Sequence, residues 1–199
     1  NLIGSLGSGA SFCDFDNDGK LDIFLVNCGG KHALYHNEGF GKFKDVTARS
    51  GLGVAPSLGM ASIWGDYDHD GWSDLLITGY GDLRLYKNKG DGTFSDRSRE
   101  VGITDIVQSD TWYMGAAFAD VEHDSDLDIY VCSYVDLTDI PLKETLHFPS
   151  DFKGKANLLL RNTLLARQEN SLALKPYRND LRSKELLGLI PLLLVVAPL

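Results

Sequence analysis

The chain has 199 residues, with 28 Asp and Glu against 19 Lys and Arg, and the resulting net charge of −9 excludes a basic nucleic-acid binder. At 43% hydrophobic and 24% charged, it has the composition of a globular protein able to bury a core, not of a disordered tail. Twenty-one Gly beside two Met favour short strands and tight turns over long helices. Cys13, Cys28 and Cys132 form no Cys-x-x-Cys pair and cannot make a fully paired framework, so they read as small buried residues with room for one disulfide. The chain opens at Asn1 without Met or a leader pattern, from which we expect a fragment or a processed chain.

Taken in order, the residues fall into a unit that recurs. Unit one spans residues 1–57. A small and apolar run, Gly9-Ala-Ser-Phe-Cys13, leads into the acidic nonapeptide Asp14-Phe-Asp-Asn-Asp-Gly-Lys-Leu-Asp22, and the β-branched and aromatic run Ile23-Phe-Leu-Val26 follows. Two strands joined by an acidic turn are predicted there. Leu34-Tyr-His-Asn37 and Gly39-Phe-Gly-Lys-Phe43, continuing to Asp45, predict two more strands around a Gly-rich hairpin. Unit two, residues 58–108, repeats all of this with Ala61-Ser-Ile-Trp-Gly65, Asp66-Tyr-Asp-His-Asp-Gly-Trp-Ser-Asp74, Leu75-Leu-Ile-Thr78, Leu85-Tyr-Lys-Asn88 and Gly90-Asp-Gly-Thr-Phe94. Unit three, residues 109–162, has Gly115-Ala-Ala-Phe-Ala119, Asp120-Val-Glu-His-Asp-Ser-Asp-Leu-Asp128, Ile129-Tyr-Val-Cys132 and Leu159-Leu-Arg-Asn162, with an insertion near 135–154. The nonapeptides start 52 and 54 residues apart. Four short strands in about fifty residues is the content of one propeller blade. The predicted fold is all-β, a partial β-propeller of about three four-stranded blades, followed by an irregular tail over 163–199.

Thirteen of the 28 acidic residues lie in the three nonapeptides. Carboxylates at positions 1, 3, 5 and 9 of one turn repel each other, and a hard cation makes the arrangement favourable. Oxygen-only coordination in a flexible loop suits Ca²⁺ better than Mg²⁺, and zinc would call for His or Cys. The candidate ligands are Asp14, Asp16, Asp18 and Asp22 with the Lys20 carbonyl; Asp66, Asp68, Asp70 and Asp74 with the Trp72 carbonyl; and Asp120, Glu122, Asp124, Asp126 and Asp128. An EF-hand is excluded, because position 12 is Leu25 or Ile77 inside a strand and not a bidentate Glu. Two calcium sites are expected, and a third weaker one, since Ser125 replaces the turn glycine there and strains the turn if its φ is positive.

Asp-x-Asp-x-Asp-Gly-x-x-Asp, Leu-Tyr-x-Asn and Gly-x-Gly-x-Phe-x-Asp, in that order over residues 9–162, resemble the FG-GAP or VCBS repeat proteins, whose propeller is similar to the integrin alpha-chain head. Gly115-Ala-Ala-Phe-Ala-Asp120, with Ile129-Tyr-Val-Cys-Ser-Tyr-Val-Asp136 and a Pro-containing insertion, is most similar to the ASPIC/UnbV subgroup, which includes cartilage acidic protein. The resemblance implies a calcium-binding propeller, often seven-bladed, that is extracellular, on the cell surface or periplasmic. Three units do not close such a ring, so part of a larger protein is expected.

Enzyme signals are absent. His32 and His36 lack the Glu of His-Glu-x-x-His, His69 and His123 stand at position 4 of their loops and read as surface residues, and no Ser or Cys has a base-bearing motif. The tight carboxylate spacing fits one metal better than a sugar ring. Trp64, aligned with Phe12 and Phe118, reads as core; Trp72 and Trp112 read as candidates for an exposed contact surface. The expected role is a non-catalytic module that recognises an extracellular protein or glycan. The alternative is a scaffold for a secreted calcium-dependent polysaccharide lyase or hydrolase, using Asp136, Asp139, Lys143, Glu144 and His147 of the insertion. The apolar run Leu186 to Leu199, broken by Gly188, Pro191 and Pro198, is shorter than the roughly 20 residues that span a bilayer.

Overall fold

The computed structural model describes residues 8–52, 57–136, 147, 151, 153–162 and 174–176. Each acidic turn connects a first strand to a second, as predicted. In the first blade these are β1 (Ser8–Cys13) and β2 (Asp22–Gly30), followed by β3 (Ala33–Gly39) and β4 (Lys42–Asp45). A single helical turn, α1 (Thr47–Ser50), leads to β5 (Ser57–Gly65), β6 (Asp74–Gly79), β7 (Asp82–Asn88) and β8 (Phe94–Asp96). After α2 (Ile103–Ile106) come β9 (Thr111–Ala119), β10 (Asp128–Asp136), β11 (Lys153–Gly154), β12 (Leu158–Asn162) and β13 (Leu174–Pro176). All pairings are antiparallel. Blades one and two join into one sheet because the far end of β2 pairs with β5 at Cys28 and Leu58, and β9, β10, β12 and β13 form the third blade. The architecture is a partial β-propeller.

Two findings refine the third blade. Its insertion leaves and returns at one place, since Asp136 pairs with Lys153. Its outermost strand, β13, comes from within the 163–199 tail and pairs with β12 at Leu160, Arg161 and Asn162.

Blade position explains the burial of each strand. Every residue of β6 is buried, because the middle blade is covered on both faces, whereas β2 alternates over Asp22–Val26. A strand covered on both faces reads as a continuous apolar run, and one covered on a single face alternates. Phe15, Phe24, Val26, Leu34 and Leu52 pack with Leu75, Ile77, Tyr86 and Phe94 between blades one and two. Tyr67, Leu76, Leu83, Leu85, Val101 and Ile103 pack with Tyr113, Ile129, Val131 and Leu160 between blades two and three.

The aromatics differ in part from expectation. Trp64 packs beside Phe24 and Phe94, with its indole N–H donating to Ser11 Oγ at 2.9 Å. Its counterpart Phe12 is 63% exposed, because no blade precedes it among the described residues. Trp112 is buried, not exposed: it sits where the blades converge, with Met60 and Val135 and against the rings of Tyr80 and Tyr134. Trp72 is half-buried on the backbone of Gly90, where a Cβ would come within 2.6 Å of the indole. The three cysteines are half-buried and form no disulfide.

Among the described residues no helix is long and apolar enough to cross a membrane. The run 186–199 lies outside them, as do Asp139, Lys143, Glu144 and the side chain of Asp136. His147 is exposed, and its backbone N–H donates to Asp151.

Candidate metal centre

The three acidic loops share one hydrogen-bonding plan. Position 1 staples the turn: Asp14 accepts from the N–H groups of Asp18 and Gly19 at 3.0 and 2.8 Å. Asp66 does the same for Asp70 and Gly71, and Asp120 for Asp124 and Ser125. Position 5 accepts from the N–H of position 7, at 2.9 Å for Asp18 and Lys20, 3.0 Å for Asp70 and Trp72, and 3.0 Å for Asp124 and Asp126. Gly19 and Gly71 at position 6 have φ of 84° and 88°, and Ser125 is forced to 73°. A side chain in that region costs of order 1 kcal/mol. Ser125→Gly is therefore expected to stabilise the chain by about 1 kcal/mol in urea unfolding.

Position 9 is buried and does structural work. Asp22, Asp74 and Asp128 each accept from two backbone N–H groups: those of Phe15 and Asn37 (3.2 and 2.7 Å), of Tyr67 and Asn88 (3.2 and 2.8 Å), and of Val121 and Asn162 (3.1 and 2.8 Å). Burial raises the pKa of all three above the ordinary Asp value, and takes Asp74 to about 8 with added repulsion from Asp68 and Asp70.

The Asn of Leu-x-x-Asn then ties one blade to the one before. Asn88 Nδ2 donates to Phe15 O in blade one at 2.8 Å and to Ser73 O in its own loop at 3.1 Å. Asn162 Nδ2 donates to Tyr67 O in blade two at 2.8 Å. In the first blade, Asn37 donates to Leu21 O of its own loop at 2.9 Å.

Position 4 is exposed in all three loops, as expected for His69 and His123, and in loops one and two it also makes contacts from one loop to the next. Asn17 Nδ2 donates to Gly71 O at 3.2 Å, and His69 Nε2 lies 3.4 Å from Asp126 Oδ1. Each reaches the loop of the following blade, so the three loops form one continuous acidic rim. Asn17, His69 and His123 all have positive φ.

Position 3 is the carboxylate that the turn does not consume. Asp16 Oδ1 and Asp68 Oδ1 are buried and have no hydrogen-bond partner among the described residues. In loop one, Asp14, Asp16 and Asp18 each bring an oxygen within 4.8 Å of the others, as do Asp66, Asp68 and Asp70 in loop two. A buried acceptor without a donor is costly. A hard divalent cation that takes oxygen ligands supplies what these oxygens lack, so the residues fit such an ion. Lys20 and Trp72 stand at the exits of the turns. The Lys20 side chain pairs with Asp18.

A third group, unmarked by any acidic pattern, faces position 3. It is the basic residue just before the Asn: His36, Lys87 or Arg161. His36 Nδ1 lies 3.3 Å from Asp16 Oδ2 and 3.2 Å from Asp22 Oδ1. Lys87 Nζ contacts Asp68 and lies 2.8 Å from Asp70 Oδ2, and Arg161 contacts Glu122. Burial opposes the charge on Lys87, but its bonds to Asp68 and Asp70 outweigh that and raise its pKa.

Residues 14–77 and 66–131 match the family described as FG-GAP-like repeat, and together these spans cover more than half of the chain. No curated protein matches the chain significantly.

Proposed function

The chain belongs to the FG-GAP-like repeat family, and we propose that it is a calcium-binding β-propeller module that recognises an extracellular protein or glycan without catalysis. The observation that carries the calcium reading is the pair of buried, unpartnered position 3 oxygens on Asp16 and Asp68. Oxygen-only ligands in a turn with a sharp glycine reversal match the preference of Ca²⁺. We place the chain nearest the ASPIC/UnbV subgroup on the motifs of its third blade, and outside the cell, on its surface or in the periplasm on its membership of the repeat family. Phe12 and Val121 are 63% and 43% exposed, while their counterparts Trp64, Phe118, Phe15 and Tyr67 pack between blades. They mark the two faces on which further blades of a larger ring would stack.

Calcium titration calorimetry tests this reading. Uptake at loops one and two is expected with a dissociation constant of about 10⁻⁴ M, the range of extracellular modules. Asp16→Ala and Asp68→Ala should each remove one binding event. Retention of both events in the double variant would refute the assignment of these loops.

A further inference from the structure

The three basic residues in front of position 3 arise from one feature of the fold. In each blade the second and third strands pair so that the residue after position 9 faces Tyr35, Tyr86 or Leu160. One step further along the same register, His36, Lys87 and Arg161 stand opposite Asp22, Asp74 and Asp128. The side chain there extends past the end of the ladder and over the acidic turn, where it meets the carboxylate that the backbone leaves unused. The contacts differ in kind. Lys87 spans two carboxylates, Asp68 and Asp70, while His36 approaches Asp16 and Asp22 through a single ring nitrogen.

We propose that Lys87 is a tethered cation that occupies the charge position of a divalent ion in loop two by bridging positions 3 and 5, so that calcium must displace it, whereas in loop one the Lys20 ammonium pairs with position 5 alone and His36 places no ammonium between positions 3 and 5. This rests on the calcium reading of the loops given above. An ammonium held by positions 3 and 5 neutralises part of the repulsion that otherwise makes ion binding favourable. It also takes up oxygen lone pairs that an oxygen-coordinated ion needs. Lys has a compact charge on a flexible stem, so it can swing away without moving the strand. The two loops, nearly identical in their acidic residues, therefore differ in affinity, with loop one the tighter. Arg161 on Glu122 gives loop three the same internal compensation.

The test is a reciprocal exchange on the full chain, followed by calcium titration calorimetry and thermal melting. In Lys87→Met the loop-two event should tighten about tenfold, a modest gain because Lys87 is partly solvated and screened. Its melting temperature in chelator should fall, and the rise on adding calcium should grow. In His36→Lys the loop-one event should weaken by a similar factor. Asp16→Ala and Asp68→Ala backgrounds assign each event to its loop. If calcium binds with wild-type affinity in both Lys87→Met and His36→Lys, the tethered-cation proposal is wrong and the calcium reading stands. If Lys87→Met binds calcium more weakly, Lys87 supports the site instead of competing for it, and the proposal is again overturned. If wild type, Lys87→Met and His36→Lys all take up no calcium, the calcium reading fails and the proposal with it. His36→Lys adds no cavity and keeps the test open should Lys87→Met not fold in chelator.

Discussion

Asn88→Ala is expected to destabilise the chain by about 3 kcal/mol, the largest effect of a single polar substitution outside the apolar core. Asn88 is fully buried and holds three backbone groups: it donates to Phe15 O and Ser73 O and accepts from the N–H of Gly90. Alanine leaves those groups without partners, at about 1–3 kcal/mol for each one that water cannot reach. The bond to Phe15 O also crosses a blade boundary, so its loss loosens blade one from blade two and not just a local turn. Asn37→Ala is the control. Asn37 occupies the same motif position, but its donor goes to Leu21 O beside an exposed side chain, and a loss under about 1 kcal/mol is expected. Urea unfolding of the two variants reads the difference, and hydrogen exchange should show faster opening of blade one in Asn88→Ala. Equal losses in the two variants would mean that the asparagine stabilises only its own hairpin.

In chelator, stability is expected to fall as pH rises from about 5 to 8, and calcium should flatten that slope. Asp74 has its pKa raised to about 8, first by burial and then by the charges of Asp68 and Asp70, against the N–H bonds from Asn88 and Tyr67. An unfolded Asp titrates near about 3.9. Between that value and about 8 the native chain holds a proton that the unfolded chain has released, so raising the pH costs stability across this window. Asp22 and Asp128 shift in the same direction through burial. A divalent ion beside these carboxylates favours their charged forms and removes the cause of the loss. Denaturation midpoints at both ends of the window, in chelator and in calcium, measure the effect. A slope unchanged by calcium would detach the buried Asp residues from the ion.

Much of this was legible because a repeated unit places the same chemistry at the same register. The acidic turns, their flanking strands and the Gly-rich hairpins follow from side-chain pattern alone, and the fold contains them where expected. What stayed hidden depends on neighbours distant in the chain. Phe12 and Trp64 look equivalent in sequence, but among the described residues no blade covers Phe12 while Trp64 packs between two blades. Trp112 is buried because three blades converge on it, which no local pattern reports. The partners of Asn88 and Asn162 lie 73 and 95 residues away, so the motif was visible while its inter-blade bond was not. His36, Lys87 and Arg161 share no side-chain chemistry beyond basicity, and a basic residue beside an Asn in a strand reads as a solvated surface position. Only the strand register carries them over the acidic turn. The signal available in the sequence was that a basic residue holds this one position in all three units.

Calcium dependence of thermal stability tests the central claim most directly. At roughly millimolar calcium and a dissociation constant of about 10⁻⁴ M, each site adds about 1.4 kcal/mol. Two sites in a chain of this size then raise the melting temperature by roughly 5–10 °C. Melting curves in chelator and in about 2 mM calcium, near the extracellular level, should differ by that amount, with Asp16→Ala and Asp68→Ala each removing part of the rise. Superimposable curves in the two conditions would contradict the account.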